Sequence, residues 1–263
     1  MVAVVIAPAF SALKNMSSYN HFARFYDLLQ KESENPVDYI ALAEYIDRLF
    51  GKKGEGILLD LACGTGELSI ALSRYGYSLI GVDSSEDMLS VAFNKDSGAP
   101  IQYVCQDMRE LDLYGTIDYC VCALDGINHL TEKADVQKVF DRVSLFMNKG
   151  GLFFFDVNTI NKHKNILSNN TFIYDLPSVY CVWQNYYVGD GLTEIRLNLF
   201  EKMGKTNDYK RHDESFSQRA YSLSEIEQMA ERAGFRIVSC YEWLGELPAN
   251  EKSEKVVFLA VKN

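Results

Sequence analysis

The sequence predicts an α/β fold: a doubly wound, mostly parallel sheet of seven strands that carries an antiparallel β insertion after the fifth strand. Three observations predict it. Between residues 57 and 157, unbroken apolar runs of the kind found in buried parallel strands alternate with helical patterns. The first run, Ile57-Leu58-Leu59-Asp60-Leu61, leads into the paired glycines Gly64 and Gly66 and then a helix start. Such glycines let the chain turn sharply and bring backbone N–H groups against a nucleotide. Aromatic and β-branched residues then crowd residues 171–221, where the alternation stops.

Each element has its own signal. Residues 1–15 are apolar and rich in small side chains, lack a basic start and are too short to span a bilayer as a helix, so a loosely attached or disordered tail is expected, with Met16 as an alternative start. Tyr19 to Phe50 should hold two helices, one built on Phe22, Phe25, Tyr26 and Leu29 and the next on Tyr39, Leu42, Ile46 and Leu49, separated by Asn35-Pro36. Strands are expected near 57–61, 78–83, 101–105, 117–124 and 151–157, with helices near 67–75, 85–95 and 133–147. Gly150-Gly151 should break the last helix and open the fifth strand. In the insertion, Phe172–Tyr174, Val179–Val188 and Thr193–Phe200 read as strands, the last two joined through Gly189-Asp190-Gly191. Ser224-Glu-Ile-Glu227 reads as a capping box for a helix that Gly234 ends, and a hairpin near 235–243 and 255–261 completes the sheet. The main domain therefore comprises 16–170 and 222–263, and 171–221 is the insertion.

Composition bounds the partners. A chain of 263 residues with 48% hydrophobic content can bury the core of one enzyme-sized domain. A formal charge of −10, with no run rich in Lys or Arg, repels a phosphate backbone and argues against nucleic acid. The six cysteines fall in or beside strand runs and are expected to be buried, reduced thiols of a cytoplasmic protein. Cys120 and Cys122 are expected on opposite faces of their strand and hence not to form a metal clip. No metal and no membrane are expected.

The glycine loop narrows the ligand. A dinucleotide fingerprint places a third small residue where this chain has Ser69, and the Gly-Lys-Ser/Thr of a P-loop is absent. Asp60 sits where a carboxylate would meet a cationic or hydroxylated group. Asp83 ends the second apolar run at about the 20-residue separation from which an acid reaches ribose hydroxyls. The ligand expected is an adenosine carrying a positive, phosphate-free group. An NAD-type oxidoreductase on the same scaffold is the alternative, opposed by Ser69. A non-catalytic protein that binds a cofactor or a partner is another.

With Asp60-Leu-Ala-Cys-Gly-Thr-Gly66, Gly81-Val-Asp83-Ser84-Ser85-Glu86-Asp87-Met88-Leu89, Cys105-Gln106-Asp107-Met108 and Ile117–Leu124 in this order, the chain resembles the class I S-adenosylmethionine-dependent methyltransferases, with their Rossmann-like sheet. The resemblance implies that Asp60 and the backbone of Ala62, Cys63, Gly64 and Gly66 hold the methionine part, and that Asp83 takes the ribose hydroxyls. It implies that Asp107 and the Met108 N–H meet the adenine, with Ser84 and Met88 lining its pocket and Ala123 and Leu124 completing the cofactor site. The motif Tyr19-x-x-Phe-Ala-x-x-Tyr-Asp27, the pair His129-Leu130 and Arg219-x-Tyr221 are similar to those of a bacterial small-molecule subgroup that includes amino-sugar N,N-dimethyltransferases.

Methyl transfer to nitrogen or oxygen of a small acceptor follows from that resemblance. It needs alignment and a dry site more than acid–base machinery, although a hydroxyl acceptor would gain from a general base. His129, leaving the fourth strand, is the candidate base. Tyr19 and Tyr26 are candidates to face the sulfonium, and Tyr39, Trp183, Arg219 and Tyr221 to contact the acceptor. Relatives often carry a histidine three residues before that arginine; here Phe216 stands there and His212 lies four residues earlier. The aromatic-rich insertion serves as a lid or substrate platform, or as the surface for pairing with a second copy in a homodimer.

Overall fold

The computed structural model describes residues 22–33, 36–51, 54–95, 98–250 and 252–263. The expectations for residues 1–15 and for Tyr19 lie outside these.

Two helices, α1 (Ala23–Lys31) and α2 (Tyr39–Leu49), precede the first strand. Asp38 caps α2 by accepting the N–H groups of Ile40 and Ala41. The strands and helices β1 (Ile57–Leu61), α3 (Glu67–Leu72), β2 (Ser78–Asp83), α4 (Glu86–Asn94), β3 (Gln102–Cys105), β4 (Ile117–Cys122), α5 (Lys133–Phe146) and β5 (Met147–Asn158) alternate as expected. The second sheet follows as β6 (Thr171–Asp175), β7 (Val179–Gly189), β8 (Leu192–Lys202) and β9 (Tyr209–Arg219), and α6 (Leu223–Arg232), β10 (Phe235–Glu242) and β11 (Lys255–Lys262) end the chain.

The main sheet runs β10-β11-β5-β4-β1-β2-β3, parallel except for β11, which is antiparallel to both its neighbours. The order reverses between β1 and β4, and in open α/β sheets a ligand sits at such a switch point, outside the carboxyl ends of the strands. Side-chain alternation builds a core on each face. Leu59, Leu61, Cys120, Cys122, Phe153 and Phe155 meet Val136, Phe140, Ile226 and Met229 of α5 and α6. Leu58, Tyr119, Val121 and Phe154 meet Leu42, Ile46, Leu68 and Leu72 of α2 and α3.

The second sheet, ordered β6-β7-β8-β9, is antiparallel throughout. Its apolar face takes α1: Phe22, Phe25 and Leu29 pack with Val179, Cys181, Ile195, Leu197 and Leu199, and Met88 of α4 joins them. The Phe22 N–H donates to Glu214 Oε1 at 3.1 Å, and Arg24 pairs with Glu201 at the same distance. The first helix thus belongs to the roof of the site and not to the layer against the main sheet.

Four expectations need correction. Cys120 and Cys122 lie two apart on one strand, which puts both thiols on the same face, inside a single core. Cys105 is exposed, because β3 is an edge strand, whereas Cys63, Cys120, Cys122 and Cys181 are buried and all six are free thiols. The strand after α5 begins at Met147, ahead of Gly150, and absorbs the glycine pair as a register irregularity against β4. The capping box of α6 is Ser222 with Glu225, two residues earlier than expected.

Candidate active site

The carboxyl edge of β1, β2 and β4 is where the sequence bends most sharply. Ala62, Gly64 and Gly66 all take positive φ values, 61°, 53° and 76°. At Gly64 an added Cβ would meet nothing within 4 Å, so this side of the loop opens to the cavity, whereas at Gly66 it would stand 2.4 Å from the Tyr103 hydroxyl oxygen. Gly66 is therefore required for packing, and it does not line the cavity. The Asp83 carboxylate secures the loop: Oδ2 accepts the Gly64 N–H and Oδ1 the Ser85 N–H, both at 2.8 Å. Burial raises the Asp83 carboxyl above its ordinary range, partly offset by those two N–H groups.

Asp60 is almost fully buried at the end of β1, and Ser69 Oγ donates to its Oδ2 at 2.5 Å. Burial pushes this carboxyl up to about 7, against the Ser69 hydrogen bond. The third small residue of a dinucleotide loop is thus replaced by a side chain that serves the acid. Farther along the edge, Asp107 is held by Arg109, whose Nε lies 2.9 Å and 3.0 Å from its two oxygens, and this partner keeps the carboxyl below its usual range.

At the end of β4, Leu124 and Asp125 take left-handed φ values of 58° and 60°, an uncommon pair for non-glycine residues. Asp156 of β5, fully buried, holds them by accepting the Leu124 N–H at 2.6 Å and the Asp125 N–H at 2.9 Å. Lys255 of β11 stands 3.1 Å from Asp156 Oδ2 and 3.5 Å from Asp125 Oδ1. Burial opposes its charge, yet the two carboxylates outweigh burial and hold the ammonium above its ordinary pKa. Asp125 is half-buried but kept below the carboxylate range, chiefly by Lys255 and Lys162. His129 is drawn below the ordinary imidazole value by burial, in spite of Asp125 and Asp83. Its ring packs on Phe216, 5.3 Å between centroids.

Most of these groups line one cavity of about 1330 Å³ that runs from the glycine loop to the second sheet, with Gly66, Ser69 and Asp156 behind its wall. Of the expected residues, Tyr26, Tyr39, Asp60, Ala62, Cys63, Gly64, Asp83, Ser84, Met88, Asp107, Met108, Ala123, Leu124, His129 and Trp183 come together in its wall. Arg219 and Tyr221 do not. Arg219 turns outward to Asp190, Nη1 to Oδ2 at 2.7 Å, and Tyr221 is buried beneath the site, where its hydroxyl donates to the Leu130 carbonyl. His212 pairs with Glu201 at 3.0 Å, and Phe216 lines the cavity in its stead.

Asp125, Asp156, Gln218, Lys162 and Lys255 had no place in the sequence expectations. Asp156 carried a signal, since it ends the run Leu152-Phe-Phe-Phe in the way Asp60 and Asp83 end theirs. The wall fits the ligand expected: carboxylates at one end for a cation, a glycine loop open to a ligand, an acid at the end of β2 for ribose hydroxyls, and Met88 with Met108 for a flat apolar ring.

Fold and site together define an α/β protein of the doubly wound class, with one cavity between the glycine loop and the antiparallel sheet. Residues 58–151 match the methyltransferase domain family. Over 248 residues the chain is 34% identical to a protein of Bacillus subtilis (strain 168) assigned as a methyltransferase, YqeM, covering 93% of this chain and 97% of that one. The crystal structure of an S-adenosylmethionine-dependent methyltransferase from Clostridium acetobutylicum ATCC 824 superposes with a TM-score of 0.84 at 30% identity, covering 93% of this chain and all of the other. A likeness in fold alone extends to the sugar N-methyltransferase KedS8 from Streptoalloteichus sp ATCC 53650, with a TM-score of 0.75 at 16% identity over 99% of this chain and 100% of that one. The chain belongs to the S-adenosylmethionine-dependent methyltransferases.

Proposed function

We propose that the enzyme transfers a methyl group to nitrogen or oxygen of a small-molecule acceptor seated between the end of β4 and the second sheet. The continuity and size of the cavity carry this reading. At about 1330 Å³ it exceeds the roughly 300–1,000 Å³ usual for a single ligand. It therefore has room for a donor and an acceptor together.

In this reading Asp60, Ala62, Cys63 and Gly64 hold the methionine part of the donor, Asp83 and Ser84 the ribose, and Asp107, Met108 and Met88 the adenine, with Tyr26, Ala123 and Leu124 closing the site. When bound, S-adenosylmethionine supplies an electrophilic methyl group. The protein supplies alignment and exclusion of water. Residues 171–221 act as the acceptor platform: Phe172, Trp183 and Phe216 line the cavity together with Tyr39 and His129. Trp183 and Phe216 pack edge to face, 6.4 Å between centroids, which gives an acceptor ring a firm wall. The sugar nitrogen named for KedS8 supports an amine among the candidate acceptors. The six free thiols support work in a reducing cytoplasm. No helix among the described residues is long and apolar enough to cross a membrane.

Titration calorimetry with S-adenosylmethionine, its demethylated product and NAD tests the donor half. Tight NAD binding with no response to the methyl donor rejects the reading. Turnover of labelled methyl donor against a metabolite extract tests the acceptor half, and repeated silence there favours a binding protein over an enzyme.

A further inference from the structure

Gln218 of β9 reaches the cavity wall, and its amide nitrogen has two polar neighbours. It donates to Asp125 Oδ2 at 2.8 Å and lies 3.0 Å from His129 Nε2. A glutamine amide can be turned end for end and an imidazole can carry its proton on either nitrogen, so neither assignment follows from one contact alone. Taken together the contacts decide both.

Asp125 is the fixed point. Its backbone N–H is gripped by Asp156 and its carboxylate faces Lys255, so it stays ionised and can only accept hydrogen bonds. Turning the Gln218 amide over would set its carbonyl oxygen 2.8 Å from a carboxylate oxygen with no proton between them. The NH₂ end therefore faces Asp125. That group has a second hydrogen and no acceptor lone pair, so the nitrogen of His129 that meets it must be the bare one. The ring proton then sits on Nδ1.

We propose that Gln218 is a positioning residue that holds His129 as the neutral Nδ1–H tautomer, with its Nε2 lone pair already engaged and so withheld from the acceptor's proton. The proposal deepens the methyl-transfer reading and rests on it for its meaning. A hydroxyl acceptor would gain from a base at this spot. An amine does not: the nitrogen lone pair forms the new N–CH₃ bond as the donor's C–S bond breaks, the positive charge passes from sulfur to nitrogen, and the proton leaves nitrogen for water afterwards. The array thus matches an amine that arrives neutral. His129 is left to shape the chamber with Phe216.

The test is spectroscopic and needs no acceptor. Long-range ¹H–¹⁵N correlation spectra of histidine-labelled protein, recorded with and without the demethylated donor, report the protonation of each ring nitrogen, and His129→Asn identifies the resonances of His129. The expected wild-type pattern at neutral pH is a protonated Nδ1 and a bare Nε2. In Gln218→Leu the balance should move roughly 2- to 10-fold toward Nε2–H, the shift expected for loss of one hydrogen bond. A wild-type ring protonated at Nε2, or an unchanged ratio in Gln218→Leu, overturns the proposal. Failure of the methyl-transfer reading would show separately, as spectra that do not respond to the demethylated donor.

Discussion

Asp83 Oδ2 accepts the Gly64 N–H at 2.8 Å, so the acid that ends β2 is a structural strut of the glycine loop as well as a candidate ribose ligand. Its replacement should therefore register twice. Asp83→Ala is expected to weaken binding of S-adenosylmethionine by about 1–3 kcal/mol, the loss of a charged acceptor for two hydroxyls. The melting temperature of the ligand-free protein should fall as well, because the loop N–H groups lose their acceptor. Calorimetric titration of the variant with an unchanged dissociation constant would remove the ribose assignment.

Donor binding should depend on pH through Asp60, whose carboxyl is raised to about 7 by burial. A cationic donor prefers the ionised form, so affinity should rise with pH and be roughly tenfold tighter at pH 8 than at pH 6, with proton release on binding near neutrality. Stability runs the opposite way. The folded pKa lies above the unfolded value, so between about pH 4 and pH 7 the folded state holds more protons than the unfolded one, and stability falls as pH rises through that window. Asp60→Asn should accordingly raise ligand-free stability at pH 8 by about 1–3 kcal/mol while weakening donor binding. Denaturant titrations of both forms at pH 5 and pH 8, paired with calorimetry in buffers of different ionisation enthalpy, check the two signs.

The main sheet was legible because its central parallel strands β1, β2, β4 and β5 are largely apolar runs, and those of β1, β2 and β5 carry an acid at or near the carboxyl end, a pattern written locally in the chain. The roof was legible only in part. β9, Tyr209–Arg219, is mostly polar and charged, and it becomes a strand by pairing along its whole length with β8. The start of α6 was ambiguous for a different reason: Ser222 with Glu225 and Ser224 with Glu227 are overlapping capping boxes, and the backbone selects the first. In the site, the loop and the acids Asp60, Asp83 and Asp107 could be read because they follow strands in sequence. The Asp125–Gln218 and Asp125–Lys255 contacts span 93 and 130 residues, and nothing local announces them. Arg219 and Tyr221 show the converse: a recognisable motif whose side chains face outward and inward, away from the cavity.

Asp156 should be among the most sensitive positions outside the donor loop. It accepts two backbone N–H groups from residues in left-handed conformation and neutralises Lys255 in the interior. Asp156→Ala leaves an ammonium buried opposite one carboxylate and frees the Leu124–Asp125 turn, a change expected to cost about 3–5 kcal/mol of stability. Asp156→Asn keeps one acceptor and should cost less. Urea denaturation midpoints of the two variants give the comparison, and equal stabilities for Ala and wild type would contradict the clamp.

The first helix should govern how fast the donor leaves. Asp27 of α1 accepts from Thr65 Oγ1 at 2.5 Å and pairs with Lys95 at 2.6 Å, while Lys95 also reaches Glu67 at 2.8 Å and the Thr65 carbonyl at 2.8 Å. Tyr26, one residue earlier, stands in the cavity wall, so this fastening holds that stretch of the wall against the glycine loop. The charges are partly exposed and each contact is modest, so the fastening should be worth about 1 kcal/mol. Asp27→Ala is therefore expected to raise the dissociation rate of S-adenosylmethionine roughly 3- to 10-fold with little change in global unfolding, because the helix packs through Phe22, Phe25 and Leu29 and stays folded on the second sheet. Stopped-flow displacement of the donor by its demethylated product measures the rate, and the same change should soften as salt screens the pair in the wild type. A dissociation rate unaffected by either the substitution or the salt would mean that the donor leaves by another route.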